Sequence, residues 1–400
     1  MKKRFLSLLT ALCLMLTLAP AAFAADSSGL QDLIDADTTG TITLTQDYTL
    51  SDTVTINKAI TINGDGHTIT YNGSGSAMTI TATAAVKLQD LNINATNSSA
   101  YAVNLTSSQP DFTLDGCTIN VGNRGINMYP SGGCTGGKLT VNNSTIKNSR
   151  VTGDYSTNTS TGDTRGIALY EVKNSDIEIN DSHIYGFGYS VNMSGNQIAD
   201  GTRPAGNRFY VTDTEIWGWS AFNIWTVGNT YNFVNCDMRG LNPMNTVGNS
   251  FSVIVLSEGI YGSTPSQVTP NVFNITGGSY TAICTSGSEN VEETLFCIDD
   301  DYCSKFNFYR YENEETLESE YVTLYCDRPF AAFMACYYGM TDSATATWAA
   351  SHVTGNQNTV YNWGLLAPGM SSDPWPANTL SEENTIQTML QASHTGGWAE

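Results

Sequence analysis

One short phrase recurs along the chain, and this repeat constrains the fold more than any other feature. In each copy two apolar residues alternate with other residues, a small or polar turn follows, and an apolar residue closes the phrase. The copies are Ile60–Ile69, Val86–Ile93, Phe112–Ile119, Leu139–Ile146, Ile177–Ile184, Phe209–Ile216, Tyr231–Met238 and Phe273–Tyr280. This period-two alternation predicts a strand with one buried face. One short strand cannot bury that face alone, whereas copies stacked about 4.8 Å apart can.

The turn within the phrase and a second strand after it recur in the same frame. The fifth position of the phrase holds Gly116, Asn143, Asp181, Asp213, Asn235 and Gly277. Gly, Asn and Asp are the residues that best tolerate a positive φ, so a left-handed turn is predicted at each of these points. The second strand recurs as Val103–Leu105, Ile126–Met128, Ile167–Leu169, Val191–Met193 and Phe222–Ile224. A β-sandwich is the competing fold, but it would not fix such a turn at one offset in successive copies.

The sequence therefore predicts an all-β chain that folds as a right-handed parallel β-helix, a β-solenoid of about eight to ten coils. Near its start the chain reads Gly29-Leu-Gln-Asp-Leu-Ile-Asp-Ala, followed by Thr41–Leu44 and Ile60–Gly64. These segments and the repeats resemble the right-handed parallel β-helix, or pectate-lyase-like, superfamily of secreted bacterial proteins. The resemblance covers residues 27 to at least 330. It implies the fold but leaves the function open, because this scaffold hosts lyases, hydrolases, esterases, phage spikes and adhesins.

The ends of the chain predict export and two caps. Residues 1–24 combine a basic start, a short apolar run and an Ala22-Phe23-Ala24 cleavage site, which is the pattern of a signal peptide. Residues 25–329 are predicted to form the solenoid, with Leu30, Leu33 and Ile34 on the buried stripe of an N-terminal capping helix. Residues 330–400 are predicted to form a C-terminal cap and a flexible tail. We therefore expect a secreted protein, extracellular or attached to the cell surface, with no membrane span.

The charge balance excludes one class of partner. The chain carries 38 acidic and 17 basic residues, with a formal net charge of −21. Nucleic-acid affinity depends mainly on Lys and Arg that neutralise phosphates, so nucleic-acid binding is excluded. Anionic membrane surfaces are disfavoured for the same reason. We expect a monomer whose partner is a polysaccharide or a surface glycan.

The outward face of the second strand gathers the best candidates for ligand contact. One outward column holds Asn104, Asn127, Ala168, Asn192 and Asn223, and the next holds Thr106, Tyr129, Tyr170, Ser194 and Trp225. Arg and Asn side chains hydrogen-bond sugar hydroxyls, and flat rings stack on sugar rings. The predicted substrate-binding residues are Arg124, Tyr129, Arg165, Tyr170, Asn192, Asn223 and Trp225, with Trp217 and Trp219 as candidates to extend the surface. The alternative is structural: stacked Asn residues hydrogen-bond one another, and exposed Tyr is common.

No known catalytic set is recognisable. The Gly-His-Gly and Arg-Ile-Lys segments of polygalacturonase-like hydrolases do not occur in the sequence. Asp181 and Asp213 occupy the turn position and are interpreted as turn formers. The alternative is a polysaccharide lyase or glycoside hydrolase built from loop groups, with Glu171, Asp154, Asp163 and Arg203 as candidates. A third interpretation is a structural or adhesive surface spacer without a ligand.

Two further sites are predicted near residue 300. Asp299, Asp300 and Asp301 offer the hard oxygen ligands that calcium prefers, although such a run of acids is more often simply solvated. Cys297 and Cys303 are the best candidates for a local disulfide in an exported chain. Cys117 and Cys236 share a column but lie about 19 Å apart at the coil spacing, which is too far for a bridge.

Overall fold

The computed structural model shows a parallel β-helix. It describes residues 25–151, 164–195, 205–242, 252–256, 269–284, 295–298, 304–312, 319–320, 322–326, 333–335, 353–354 and 361–365. The predicted signal peptide, residues 1–24, lies outside this set.

The repeated phrase begins with the strands of one long sheet, here called sheet 1. Its eleven strands are parallel, and the residues at the third position of the phrase, such as Ile62, Leu88, Leu114 and Val141, are paired in register. Numbered in chain order, the strands are β2 (Thr41–Thr43), β5 (Ile60–Asn63), β8 (Ala85–Gln89), β11 (Asp111–Asp115), β15 (Lys138–Asn142), β19 (Asp176–Asn180), β21 (Arg208–Thr212), β23 (Thr230–Val234), β26 (Val272–Thr276), β29 (Lys305–Tyr309) and β34 (Val353–Thr354). The predicted solenoid is confirmed, and the described residues contribute eleven coils to it.

A second sheet follows the turn in each coil, and we call it sheet 2. Its strands are β1 (Ala25–Asp26), β3 (Tyr48–Leu50), β6 (Thr68–Tyr71), β9 (Asn92–Ala95), β12 (Thr118–Val121), β16 (Thr145–Asn148), β24 (Asp237–Asn242), β27 (Ser279–Cys284), β32 (Val322–Cys326) and β35 (Tyr361–Leu365). The first halves of two long strands, β20 (His183–Ser194) and β22 (Glu215–Ile224), complete it. Because β20 and β22 run through the corner, sheet 2 is continuous with the third sheet.

The second halves of β20 and β22 belong to sheet 3, which carries the predicted ligand face. Its other strands are β4 (Val54–Ile56), β7 (Ser76–Ile80), β10 (Tyr101–Leu105), β13 (Arg124–Met128), β17 (Arg165–Tyr170), β25 (Ile254–Leu256), β28 (Phe296–Ile298) and β33 (Phe333–Ala335). Two short pairs lie outside the three sheets: parallel β14 (Cys134–Thr135) with β18 (Val172–Lys173), and antiparallel β30 (Tyr311–Glu312) with β31 (Ser319–Glu320). Strands β33, β34 and β35 lie beyond residue 329, so coils occur within the segment expected to form the C-terminal cap.

The turn between sheets 1 and 2 is left-handed at the predicted position. All six predicted turn residues have a positive φ, for example 47° at Asp181 and Asp213 and 60° at Gly277. Short polar side chains tolerate this conformation at little cost, whereas bulkier residues do not. Asp181 and Asp213 are therefore turn formers, as their positions in the phrase indicate.

The core contains an aromatic stack along sheet 1. The rings of Phe209, Tyr231, Phe273 and Phe306 follow one another in successive coils, with 4.6 Å between each pair of centroids. All four side chains are buried. Coil stacking alone places these rings at van der Waals spacing, so the stack runs parallel to the solenoid axis.

A buried asparagine ladder precedes sheet 1 in the same coils. The Asn207 backbone N–H and Nδ2 both donate to Asn229 Oδ1, at 3.2 and 3.0 Å. The Asn229 backbone N–H and Nδ2 donate in turn to Asn271 Oδ1, each at 3.0 Å. These side chains are at most 1% exposed. This ladder was not predicted from the sequence, although an Asn two residues before each of three phrases was a visible signal.

The described free cysteines are buried and unreactive by environment. Cys117, Cys134 and Cys236 are free, and burial raises the pKa of the Cys117 thiol to about 11 and that of Cys236 to about 12. Thiolates are the reactive form of cysteine, so these thiols are protonated at neutral pH. Cys297 is disulfide-bonded, and its partner lies outside the described side chains. The bridge from Cys297 to Cys303 stays a prediction.

A helix closes the N-terminal end of the solenoid. Helix α1 (Ser27–Ala36) begins after Asp26, whose side chain accepts from the Gly29 N–H. Leu30 and Ile34 are buried, but Leu33 is 41% exposed, so its predicted place on the buried stripe is wrong. The Gln31 side chain forms the hydrogen bonds that a neighbouring strand would form. Its Nε2 donates to the Thr55 carbonyl and its Oε1 accepts from the Thr55 N–H, at 3.0 and 2.8 Å. The helix thus covers the open edge at β4.

We expect loss of this cap to cause self-association. Leu30→Asp would place a charge where the side chain is fully buried, so α1 should detach and expose unpaired strand edges. Sedimentation velocity should then show concentration-dependent oligomers. Leu33→Asp, on the exposed side of the same helix, is the matched control and should sediment like the wild type. An unchanged profile for Leu30→Asp would mean that α1 does not protect the edge.

None of the helices in the described part of the chain is long and apolar enough to cross a membrane.

Candidate functional site

The outward columns of sheet 3 have the predicted register. Asn104 pairs with Asn127, Asn127 with Ala168, Ala168 with Asn192, and Asn192 with Asn223. Tyr170 pairs with Ser194 in the adjacent column. The five coils from β10 to β22 therefore bring the predicted residues onto one face.

The Asn column is a buried structural ladder. Asn127 Nδ2 donates to Asn104 Oδ1 at 2.7 Å, and Asn223 Nδ2 donates to Asn192 Oδ1 at 2.8 Å, while Ala168 separates the two pairs. Asn192 and Asn223 are only 2% and 3% exposed. They are therefore not the exposed donors that the sequence predicted, because their side chains are engaged in hydrogen bonds with each other and with neighbours on the face.

Asn223 instead positions an exposed ring. Its Oδ1 accepts from Trp225 Nε1 at 3.1 Å, and Trp225 is 39% exposed. A buried asparagine held by a second asparagine gives the indole a fixed orientation before any ligand arrives. Such preorganisation reduces the entropy lost on binding.

Three rings share the outer column, and we call Tyr129, Tyr170 and Trp225 the aromatic strip. Tyr129 is 52% exposed and its ring centroid lies 5.2 Å from that of Tyr170, with the planes tilted by 55°. Tyr170 also has the Arg124 guanidinium 5.0 Å from its centroid, so it supports Tyr129 more than it faces solvent. Tyr129 and Trp225, three coils apart, lie about 14 Å from each other along the axis. They are the open platforms of the strip.

The two arginines lie along the inner edge of the same face. Arg124 and Arg165 pair in register. The Arg124 guanidinium lies 4.9 Å from the Tyr101 ring, and that of Arg165 lies 4.6 Å from the Tyr189 ring. Arg124 also donates to Asn127 Oδ1 at 2.7 Å. These cation–π contacts fix both side chains on the face.

Small residues interrupt the strip between Tyr170 and Trp225. Ser194 lies between them in the column, and Gly195 follows it. Because Tyr170 and Trp225 are two coils apart, about 10 Å of axis separates them above this serine. Among the described residues, one small side chain therefore separates the two rings along the axis.

Trp217 and Trp219 do not extend this surface. Trp217 lies on sheet 2 between Tyr185, 5.3 Å away by ring centroids, and the Arg239 guanidinium, 4.5 Å from its centroid. Both faces of the Trp217 ring are thus covered, and Trp219 is 8% exposed. A ring without an open face cannot stack on a sugar.

The remaining predicted groups fall mostly outside the described residues. Asp154, Asp163 and Arg203, the loop candidates for an enzyme, are outside them, as are the calcium candidates Asp299, Asp300 and Asp301. Within the described ranges, no group of three or more His, Cys, Asp or Glu side chains is arranged to hold a metal ion. Glu171 is described, and it directly follows Tyr170 at the edge of the strip.

A second polar area lies on sheet 1 and can be compared with the aromatic strip on sheet 3. A shallow depression of about 610 Å³ is lined by Asp176, Glu178, Asn180, Arg208 and Tyr210. Its charges are paired: Arg208 Nε and an Arg208 terminal nitrogen donate to the two Asp176 oxygens at 2.7 and 2.8 Å. This bond holds the pKa of the Asp176 carboxyl below its usual value. Tyr210 is 43% exposed, but it is the only ring lining the depression.

Comparisons with known proteins leave the family open. No family model matches the chain, and no curated protein matches it. Similar solved chains include one described as "L. reuters 100-23 SRRP", at 13% identity and a TM-score of 0.39 over 76% of this chain and 86% of that chain. Another is described as "L. reuteri 53608 SRRP", at 14% identity and a TM-score of 0.32 over 86% of this chain and 95% of that chain. A likeness this low carries no argument about function. Membership of the pectate-lyase-like superfamily therefore stays a prediction, beyond the parallel β-helix itself.

Proposed function

We propose that this protein binds carbohydrate through the aromatic strip on sheet 3 and acts outside the cell or at its surface. The observation that carries the proposal is the pair of open, preorganised rings, Tyr129 and Trp225, in one exposed column. Aromatic rings of this kind stack on the apolar faces of sugars, and the stacking favours a ligand with several sugar units. The export signal predicted in the sequence supports an extracellular role.

Energetics favour these rings as the principal contacts. Exposed aromatics supply a large contact area and lose little rotamer entropy when they bind. Trp225 already donates a hydrogen bond to Asn223, and the Tyr129 ring packs against the Tyr170 ring. Arg124 and Arg165 lie beside the rings and can donate to ligand hydroxyls or ring oxygens. The strip therefore combines stacking with hydrogen bonding.

Trp225→Ala should reduce glycan retention at least about tenfold, because the loss of one central aromatic contact commonly costs about 2 kcal/mol or more. Retardation in gels containing soluble polysaccharides, followed by titration calorimetry on any glycan retained, measures the effect. Hydrogen exchange should show the sheet 3 strands unchanged, since the indole is exposed. Equal retention by wild type and variant would remove the strip as the binding surface.

Tyr210→Ala is the matched control. Tyr210 is an exposed ring on sheet 1, with an exposure close to that of Trp225. Its removal tests whether any surface ring contributes through nonspecific stacking. Retention should stay at the wild-type level in this variant. If Tyr210→Ala lost as much retention as Trp225→Ala, binding would not be specific to sheet 3.

One observation favours an enzyme. Glu215 and Asp237 pair in register on adjacent strands, and retaining glycosidases use two neighbouring carboxylates. However, Glu215 contacts His183 at 3.2 Å and Asp237 is held by Arg239, while the adjacent Trp217 ring is covered on both faces. These contacts engage both carboxylates with neighbouring side chains, Glu215 with the His183 ring and Asp237 with the Arg239 guanidinium. An assay for released reducing ends on retained glycans tests the enzyme alternative.

A further inference from the structure

Glu171 adopts a backbone conformation that is unusual for its residue type. Among the described residues, eight non-glycine residues have a positive φ, and seven of them are Asp or Asn. Glu171, with φ at 53°, is the eighth. Asp and Asn are tolerated there because their short side chains bond the local backbone, whereas Glu gains no such compensation. A turn alone would be better served by Asn or Gly.

Neighbouring coils hold Glu171 in this conformation. Its N–H donates to the Ser194 carbonyl and its carbonyl accepts from the Cys134 N–H, each at 2.9 Å. The neighbouring coils have a glycine on each side of Glu171, and any larger residue there would crowd it. A Cβ added to Gly195 would lie 2.9 Å from the Glu171 nitrogen, and a Cβ added to Gly133 would lie 3.4 Å from the Glu171 Cβ. The strained residue is thus fixed by contacts from two sides.

The Glu171 carboxylate has no structural task among the described residues. It forms no ion pair or hydrogen bond with any of them, although its side chain is partly buried. By contrast, carboxylates on sheet 1 are engaged in ion pairs, because Lys87, Lys138 and Arg208 each contact an acidic side chain there. Strain that is held in place without a local benefit tends to occur at functional sites.

We infer that Glu171 is a specificity-determining residue of the aromatic strip and that it selects uncharged glycans; this inference rests on the proposed function. A carboxylate only accepts hydrogen bonds, so it recognises the hydroxyls of a sugar whose ring stacks on the strip. The same charge repels a uronate or other acidic unit at short range. The net charge of −21 adds a long-range repulsion of polyanions.

The nearby arginine does not reverse this preference. Arg124 lies between the Tyr101 and Tyr170 rings, 4.9 and 5.0 Å from their centroids, and donates to Asn127. Its two flat faces are therefore covered, and one of its terminal nitrogens is engaged. Glu171, which directly follows Tyr170, has neither kind of contact among the described residues, so its carboxylate can accept from a ligand.

Glu171→Asn is the decisive variant, because it removes the carboxylate and relieves the strain together. We expect its melting temperature to be equal to or above that of the wild type, and its affinity for a retained neutral glycan to fall at least tenfold. Glu171→Gln keeps the strain and the shape but removes the charge. It should bind the neutral glycan less tightly and lose part of the discrimination against polygalacturonate.

The control is Asn174→Gly. Asn174 is exposed, has φ at 47° and lies three residues beyond Glu171, so this variant changes a left-handed position outside the strip. It should bind like the wild type. Neutral glucans, mannans and galactans serve as probes, with polygalacturonate as the charged comparison.

The outcomes separate this inference from the proposed function. If Trp225→Ala loses glycan retention while Glu171→Asn keeps it, the inference about Glu171 is wrong, but the strip remains the proposed binding surface. A lower melting temperature in Glu171→Asn would assign Glu171 a structural role and also overturn the inference. Preference of the wild type for polygalacturonate would contradict the selectivity. If the wild type retains none of the probes, the proposed function and the inference fail together.

Discussion

Replacing Phe273 by alanine is expected to destabilise the central coils by about 3–5 kcal/mol, the usual cost of removing a buried phenyl ring. Phe273 is fully buried between Tyr231 and Phe306, with both neighbouring rings nearly parallel at 4.6 Å. Each such contact contributes about 0.5–1.5 kcal/mol beyond the buried area. A cavity at this position interrupts the stack, and backbone pairing on both sides prevents its collapse.

Hydrogen exchange followed by mass spectrometry measures this effect coil by coil. A loss of this size should accelerate exchange in β23, β26 and β29 at least about a hundredfold, if these strands open locally. Stability in a solenoid is a sum of coil and interface contributions, so strands near α1 should change little. Phe273→Leu, which keeps most of the volume, should lose much less. Equal exchange in Phe273→Ala and wild type would show that the stack does not support these coils.

Asn229→Ala is the second change with a large expected effect. The variant would leave the buried Asn207 N–H without its acceptor. It would also remove one of the two acceptors of Asn207 Nδ2 and one of the two donors to Asn271 Oδ1. Each buried donor left without a partner costs about 1–3 kcal/mol. We therefore expect a loss of roughly 1–3 kcal/mol, without any change in charge. Thermal melting and exchange of the loops before β21 and β26 would measure it.

An outward ladder on the same strands provides the control. Asn274 Nδ2 donates to Asn232 Oδ1 at 2.9 Å, and Asn274 Oδ1 accepts from Asn307 Nδ2 at the same distance, but these residues are partly exposed. Water can replace the lost hydrogen bonds there, so Asn274→Ala should destabilise the protein much less than Asn229→Ala does. Similar losses in both would mean that burial does not decide the value of an asparagine ladder.

Both predictions bear on the proposed binding surface. Trp225 follows β22 directly, and β22 pairs with β20 on one side and with β24 and β25 on the other. The ring positions depend on the stacking of these coils, which sets their axial spacing. A variant that opens the coils should therefore also weaken glycan retention, whereas removal of Trp225 should weaken retention alone.

Several features followed from the sequence alone. Alternation in the repeats predicted strands and their register, so that Ile62, Leu88 and Leu114 align as expected. The turn position was predicted because a positive φ restricts the residue type. The columns of sheet 3 followed from the same frame, which is why Tyr129, Tyr170 and Trp225 could be placed together. These are local or periodic properties, and the pattern of residue types determines them directly.

Only the tertiary structure decided which side chains remain available. It buried Asn192 and Asn223, covered both faces of Trp217, and placed Leu33 outside the cap interface. It also showed that Glu171 is strained and has no side-chain partner among the described residues. Exposure, ring stacking and backbone strain depend on residues from neighbouring coils, 20 to 40 positions away in the sequence. The repeat thus determined the scaffold of this protein, while packing between coils determined its candidate surface.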